Sequence, residues 1–122
     1  MVYSLNQGMT KRPANIPITI YPGRKFTLSI RLLDLLGDPL NLTGFSIAAE
    51  VKTAAGGTTI LALDAAITTA ATGLVTLSKS HTDTTGLTAQ RGVWDIMLTN
   101  ASSEKLPPYV GGPAEIKTPV TD

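Results

Sequence analysis

Residues 24–51, RKFTLSIRLLDLLGDPLNLTGFSIAAEV, contain two runs in which apolar and polar residues alternate. In the first run Phe26, Leu28, Ile30 and Leu32 share one face, and Thr27, Ser29 and Arg31 share the other. In the second, Phe45, Ile47, Ala49 and Val51 are opposed by Ser46, Ala48, Glu50 and Lys52. Successive side chains on a strand point to opposite sides, so a period of two buries one face and wets the other. Both runs therefore demand the same core. Gly37-Asp38-Pro39 and Asn41-Leu42-Thr43-Gly44 carry turn chemistry between them, which predicts an organising hairpin. An isolated hairpin is marginal in water, so the remaining chain must supply sheet partners.

Those partners are readable on both sides. In residues 15–21, NIPITIY, Ile16, Ile18 and Ile20 share a face, and Pro17 marks an edge strand because it cannot donate to a ladder. Pro22-Gly23 turns the chain into the organising pair. Residues 53–58 form a loop and 59–63, TILAL, a strand. The stretch 64–72, DAAITTAAT, permits helix through its alanines and strand through its threonines and isoleucine; an extended course around Ile67 is the reading adopted. After Gly73 comes a strand with Val75 and Leu77 on one face. Residues 81–87, HTDTTGL, predict a turn or one helical turn capped by Thr82 or Asp83. In 93–100, VWDIMLTN, Trp94, Ile96 and Leu98 point inward and Asp95 and Thr99 outward. Val93 and Met97 share that outward face, which is partly apolar and expected to be covered. Residues 100–104 make a polar hairpin loop, Pro107-Pro108 an extended stretch, Gly111-Gly112-Pro113 a break, and 114–120 a closing strand.

Short strands with regularly spaced turn signals predict an all-β fold, a single Ig-like or Greek-key-type sandwich of about seven antiparallel strands. It spans residues 15–122. Phe26, Ile30, Phe45, Ile47, Trp94 and Ile96 are expected in one core. Residues 1–14 show no periodicity and read as an extended N-terminal arm, ordered only where something holds it.

A chain of 122 residues is long enough to bury a core without staples, and it has no cysteine for thiolate chemistry. A net charge of +1 argues against nucleic acid as the partner, and no apolar stretch approaches membrane-spanning length. Lys11, Arg12, Arg24, Lys25 and Arg31 all precede the first acid, Asp34. This basic quarter reads either as charged strand edges that discourage stray pairing or as a docking arm for an acidic neighbour. His81 is the single histidine, and beside Asp83 in a turn it reads as capping chemistry rather than a metal ligand. No nucleophile elbow surrounds any serine. Asp34, Asp38, Asp64, Asp83 and Asp95 fall in turns or on wet faces, where solvated carboxylates are ordinary. No catalytic, cofactor or metal residues are assigned, and an enzyme is not expected.

The landmarks have a familiar order. YPGRKFTLSIRLLDLLGDPLNLTGFSIAAEVKT, then Gly73-Leu74-Val75-Thr76-Leu77, a Thr/Leu turn at 84–87, and Gly92-Val93-Trp94-Asp95-Ile96 resemble small β-sandwich domains of tailed-phage virion proteins. The pattern is similar to the N-terminal domain of siphophage baseplate upper proteins, also found at the bases of tail fibres. It covers residues 16–120, with Pro39, Leu42-Thr43-Gly44 and Trp94-Asp95-Ile96 carrying most of it.

Members of that family continue into further domains, so a single-domain version would work through its surfaces. The resemblance implies a non-enzymatic virion protein of the tail baseplate or fibre-attachment region, an adaptor assembled in the host cytoplasm. It implies other phage virion proteins as partners, a homo-oligomer within the particle, and neither cofactor, nucleic acid nor membrane. The alternatives are a head decoration protein that cements the major capsid protein and a carbohydrate-binding sandwich using Tyr3, Tyr21 or Tyr109. Within the arm, Tyr3 and Leu5 are the expected partner-binding anchors, and Lys11 and Arg12 the rim charges that speed and orient docking.

Overall fold

The strand at residues 59–69 carries the chain from one half of the sheet to the other. In the computed structural model, which describes residues 2–6, 14–33, 36–106 and 110–119, nine strands are ordered along the chain. They are β1 (Val2–Asn6), β2 (Ala14–Asn15), β3 (Ile18–Ile20), β4 (Phe26–Leu33), β5 (Ser46–Lys52), β6 (Thr59–Thr69), β7 (Leu74–Lys79), β8 (Gln90–Thr99) and β9 (Val110–Ile116). A 3₁₀ turn at Ala70–Thr72 follows β6, and one short helix, α1 (His81–Thr84), follows β7. Thr59, Leu61, Ala62 and Leu63 of β6 pair with β5, whereas Asp64, Ala65, Ala66, Ile67 and Thr69 pair with β7. The segment that composition left between helix and strand is thus extended as far as Thr69, because Ile67, Thr68 and Thr69 are β-branched.

Spatial order is β1-β4-β7-β6-β5-β8-β9-β2, with β3 also on β9. β5, β6 and β7 form a meander; β4 lies beside β7 and β8 beside β5, so two Greek keys share the meander. The all-β sandwich is therefore the fold, and β3 to β9 are its seven principal strands. The pairing is mixed rather than purely antiparallel: β1 runs parallel to β4, and β2 and β3 run parallel to β9. Both ends of the strand order are occupied by N-terminal segments, which nearly closes the sheet on itself.

β4 and β5 share no ladder, which corrects the expected hairpin. Pro39 bridges back to Leu33, Leu40 N–H donates to Leu32 O at 2.9 Å, and Leu42 N–H donates to Ala70 O at 2.8 Å. These bonds tie the connection to the end of β4 and the 3₁₀ turn, so it crosses to the other half of the sheet instead of folding back. Both strands still feed one core, as their alternation requires. Leu28, Ile30, Leu32, Ala49, Val51, Val75, Leu77, Trp94, Ile96 and Leu98 are buried in it. Phe26, Phe45 and Ile47, expected inside, are half-buried and pack against it from the ends of their strands.

The last strand also differs. Gly111-Gly112-Pro113 lies inside β9 rather than breaking it. A Cβ on Gly111 would come within 2.7 Å of Trp94 O, and one on Gly112 within 2.7 Å of Ile16 O. Glycine here permits strands on both sides of β9 to approach. Residues 107–109 and Val120 lie outside the described residues. α1 is the expected single helical turn, but Ser80 caps it: its Oγ accepts from Asp83 N–H at 3.2 Å, because the residue before the helix keeps an extended backbone. Within the segment read as an arm, Val2–Asn6 pairs with β4, Tyr3 in register with Ile30 and Leu5 with Leu32. The period-two alternation of Val2, Ser4 and Tyr3, Leu5 suits a sheet edge.

Trp94 is 3% exposed, and its Nε1–H donates to Ile16 O at 2.8 Å. Trp94→Ala should lower stability by about 3–5 kcal/mol, the range for large aromatic truncations, and Trp94→Phe by about 1–3 kcal/mol through the orphaned carbonyl. Urea unfolding with an unchanged slope checks both; a wild-type midpoint for Trp94→Ala would show that the core is placed wrongly.

Candidate functional site

On the outward face of β5, β8 and β9 the chain forms a groove of about 730 Å³. Register places its residues in rows across the strands. Ala48 lies opposite Met97, Glu50 opposite Asp95, and Lys52 opposite Val93; Asp95 in turn faces Gly111, and Gly111 faces Asn15. The methyl of Ala48, the bare backbone of Gly111 and the ring of Pro113 leave the floor low, and the turn at 54–56 raises one wall. Val93 and Met97 are each 39% exposed, so the outward apolar face, expected to be covered, is open. Its physical cause is topological. β8 is central between β5 and β9, its inward face is used by the core, and nothing else in the described chain packs outside it.

The groove carries charge as well as apolar surface. Glu50 and Asp95 face one another directly across β5 and β8, an arrangement that disfavours both charges. Glu50 is compensated: its Oε2 accepts from Thr59 Oγ1 at 2.9 Å and lies 3.9 Å from Lys52 Nζ. Asp95 makes no ion pair among the described residues. An apolar floor with an acidic centre suits a polypeptide surface that brings an apolar side chain and a cation.

The residues singled out by sequence are dispersed. Tyr3 and Leu5 lie in β1 at the β4 edge, the far end of the strand order from β2 and β9. Lys11 and Arg12 lie outside the described residues, as do Asp34 and Tyr109. His81 opens α1, away from the groove, and its Nε2 lies 3.5 Å from Thr82 Oγ1. Asp64 and Asp83 are brought together, but as counter-ions of Lys79, at 3.4 and 3.8 Å from its Nζ. Among the described residues no group of three or more histidine or acidic side chains has the arrangement of a metal site, and no helix is long and apolar enough to cross a membrane. Asn15, Ala48 and Pro113 were not singled out by sequence. The shared outward phase of Val93, Asp95 and Met97 was legible; the concavity depends on the neighbouring strands.

Scans against protein-family models and curated protein sequences return no match. Among solved structures, the fold matches the N-terminal domain of phage TP901-1 ORF48 with a TM-score of 0.63, at 11% sequence identity, over 96% of this chain and 97% of that one. The crystal structure of the Lin-41 filamin domain aligns with a TM-score of 0.43, at 16% identity, over 83% of this chain and 84% of that one, too distant to inform the reading. The resemblance read from the turns to a tailed-phage sandwich domain is thus met at the level of fold.

Because Val93 and Met97 are outside the core, the double variant Val93→Ser, Met97→Gln should keep its unfolding free energy, measured by urea denaturation, to within about 0.5 kcal/mol per site, as surface substitutions do. A loss of several kcal/mol would place this face in the fold's interior.

Proposed function

We propose that this chain is a structural protein of a bacteriophage virion, an adaptor of the tail baseplate or fibre-attachment region that binds other virion proteins and performs no catalysis. The observation that carries the reading is the near end-to-end fold match with a phage domain, over 96% of this chain and 97% of the other. The sequence landmarks Gly37-Asp38-Pro39, Leu42-Thr43-Gly44 and Gly92-Val93-Trp94-Asp95-Ile96, which resemble the pattern of phage sandwich domains, support the same reading. So does the surface: an open, partly apolar face on a small sandwich is what a subunit working by contact needs. Tyr3 and Leu5 at the β4 edge, with Lys11 and Arg12 following them in the chain, are the residues proposed to dock on a neighbouring virion protein.

Immunogold labelling of intact particles, with copy number measured by quantitative mass spectrometry, tests the location. Label at the tail tip in a multiple of three or six is expected; hundreds of copies on the head would establish a decoration protein instead. Lys11→Glu with Arg12→Glu should fold with an unchanged melting temperature yet fail to enter particles. Normal incorporation of that variant would remove these residues from the interface.

A further inference from the structure

Four large apolar side chains are exposed among the described residues: Tyr21, Leu36, Val93 and Met97. Two of them line the groove. A third, Tyr21, stands on the turn between β3 and β4, which reads YPGRK and is followed directly by Phe26. Pro22 presets the first central position of that turn, Gly23 takes φ +77° at the second, and Arg24 N–H donates to Tyr21 O at 3.0 Å, the geometry of a type II turn. A second bond braces it from outside. The hydroxyl of Thr84 in α1 donates to Arg24 O at 2.9 Å, and Thr84, fully buried, is the one buried polar residue among those described. The turn is therefore a preorganised knob carrying an aromatic ring and two cationic residues, Arg24 and Lys25, all exposed.

We infer that this knob, Tyr21 to Lys25 of one copy, docks in the β5–β8–β9 groove of a second copy, with Tyr21 against Val93 and Met97 and Lys25 against Asp95. The two surfaces are complementary in kind. The knob is apolar and cationic; the groove is apolar with two opposed carboxylates, of which Glu50 is met by Lys52 on the same lining and Asp95 has no ion-pair partner among the described residues. A cation brought to Asp95 relieves the repulsion that the Glu50–Asp95 register builds in. Tyr21 does not line the groove of its own chain, so the contact joins separate molecules. Knob and groove are different patches, which makes the contact heterologous: copies join head to tail and close into a ring or extend as a filament. Rigidity of the turn removes part of the ordering cost that a flexible loop would bear. A knob of this size buries well under the roughly 1,000 Å² of a stable pair, so the contact is weak between free molecules and becomes significant where copies are held close together. It stands or falls independently of where the protein resides.

The experiment is sedimentation equilibrium of the full chain at low ionic strength, from about 10 μM to 1 mM, the range in which a weak contact of this kind is populated. Wild-type protein should self-associate. Lys25→Glu and Asp95→Lys, each at an exposed position and each checked for an unchanged circular dichroism spectrum, should weaken association by about tenfold or more, and Tyr21→Ser likewise. An equimolar mixture of Lys25→Glu and Asp95→Lys should recover hetero-association, because the reversed knob of one variant meets the reversed groove of the other and the unaltered knob and groove meet as in the wild type. A wild-type chain that stays monomeric throughout overturns the inference. So does association that survives both charge reversals, or a mixture that shows no recovery.

Discussion

The hydrogen bond from Trp94 Nε1 to Ile16 O, 2.8 Å long and buried, is the contact on which the nearly closed architecture depends. Ile16 stands where the N-terminal edge strand is interrupted, between β2 and β3, and Pro17 beside it has no N–H to offer. An interruption at that place would ordinarily leave buried backbone groups unpaired, at a cost of about 1–3 kcal/mol each. Here none is orphaned at Ile16. Its N–H donates to Gly111 O at 2.9 Å, and its carbonyl takes the indole proton. One aromatic side chain from a central strand thus fastens the N-terminal edge and fills the core at once.

Close approach around that bond has its own requirement. β9 is flanked by β8 on one side and by β2 and β3 on the other, and at Gly111 and Gly112 there is no room for a side chain on the face toward its neighbours. At the opposite end of the sheet Gly73, with φ +70°, plays the corresponding part: a Cβ there would meet Leu32 O at 2.5 Å and Leu40 O at 2.8 Å, where the β4–β5 connection passes the 3₁₀ turn. Glycine is thus placed where backbone meets backbone, and branched side chains where strand meets core.

The same economy shapes the surface. Thr84, buried by α1, spends its hydroxyl on the carbonyl of Arg24 and so couples a single helical turn to the β3–β4 turn sixty residues earlier in the chain. On the other side of the sheet, β8 has used its inward face on the core and leaves Val93, Asp95 and Met97 to solvent. A sandwich of this size cannot cover both faces of its central strands with its own residues. The outward face of β8 is therefore left partly apolar and open.

Alternation determined a great deal here by itself. The inward sets Leu28-Ile30-Leu32, Val75-Leu77 and Trp94-Ile96-Leu98 are buried as their period-two spacing requires, and Pro17, lacking a donor, marks an edge. Spacing is a local property: on a regular strand, adjacent side chains point to opposite faces. Pairing is not local. That β4 and β5 cross the core rather than form a hairpin depends on Leu40 and Leu42 bonding to Leu32 and Ala70; that Val2–Asn6 joins β4, and that β6 serves both halves of the sheet, depend likewise on partners distant in sequence. The outward phase of Val93, Asp95 and Met97 could be read from the chain. Their concavity, and the opposition of Asp95 to Glu50, exist only because β5 and β9 flank β8 in this register, and register between distant strands is decided by tertiary structure alone.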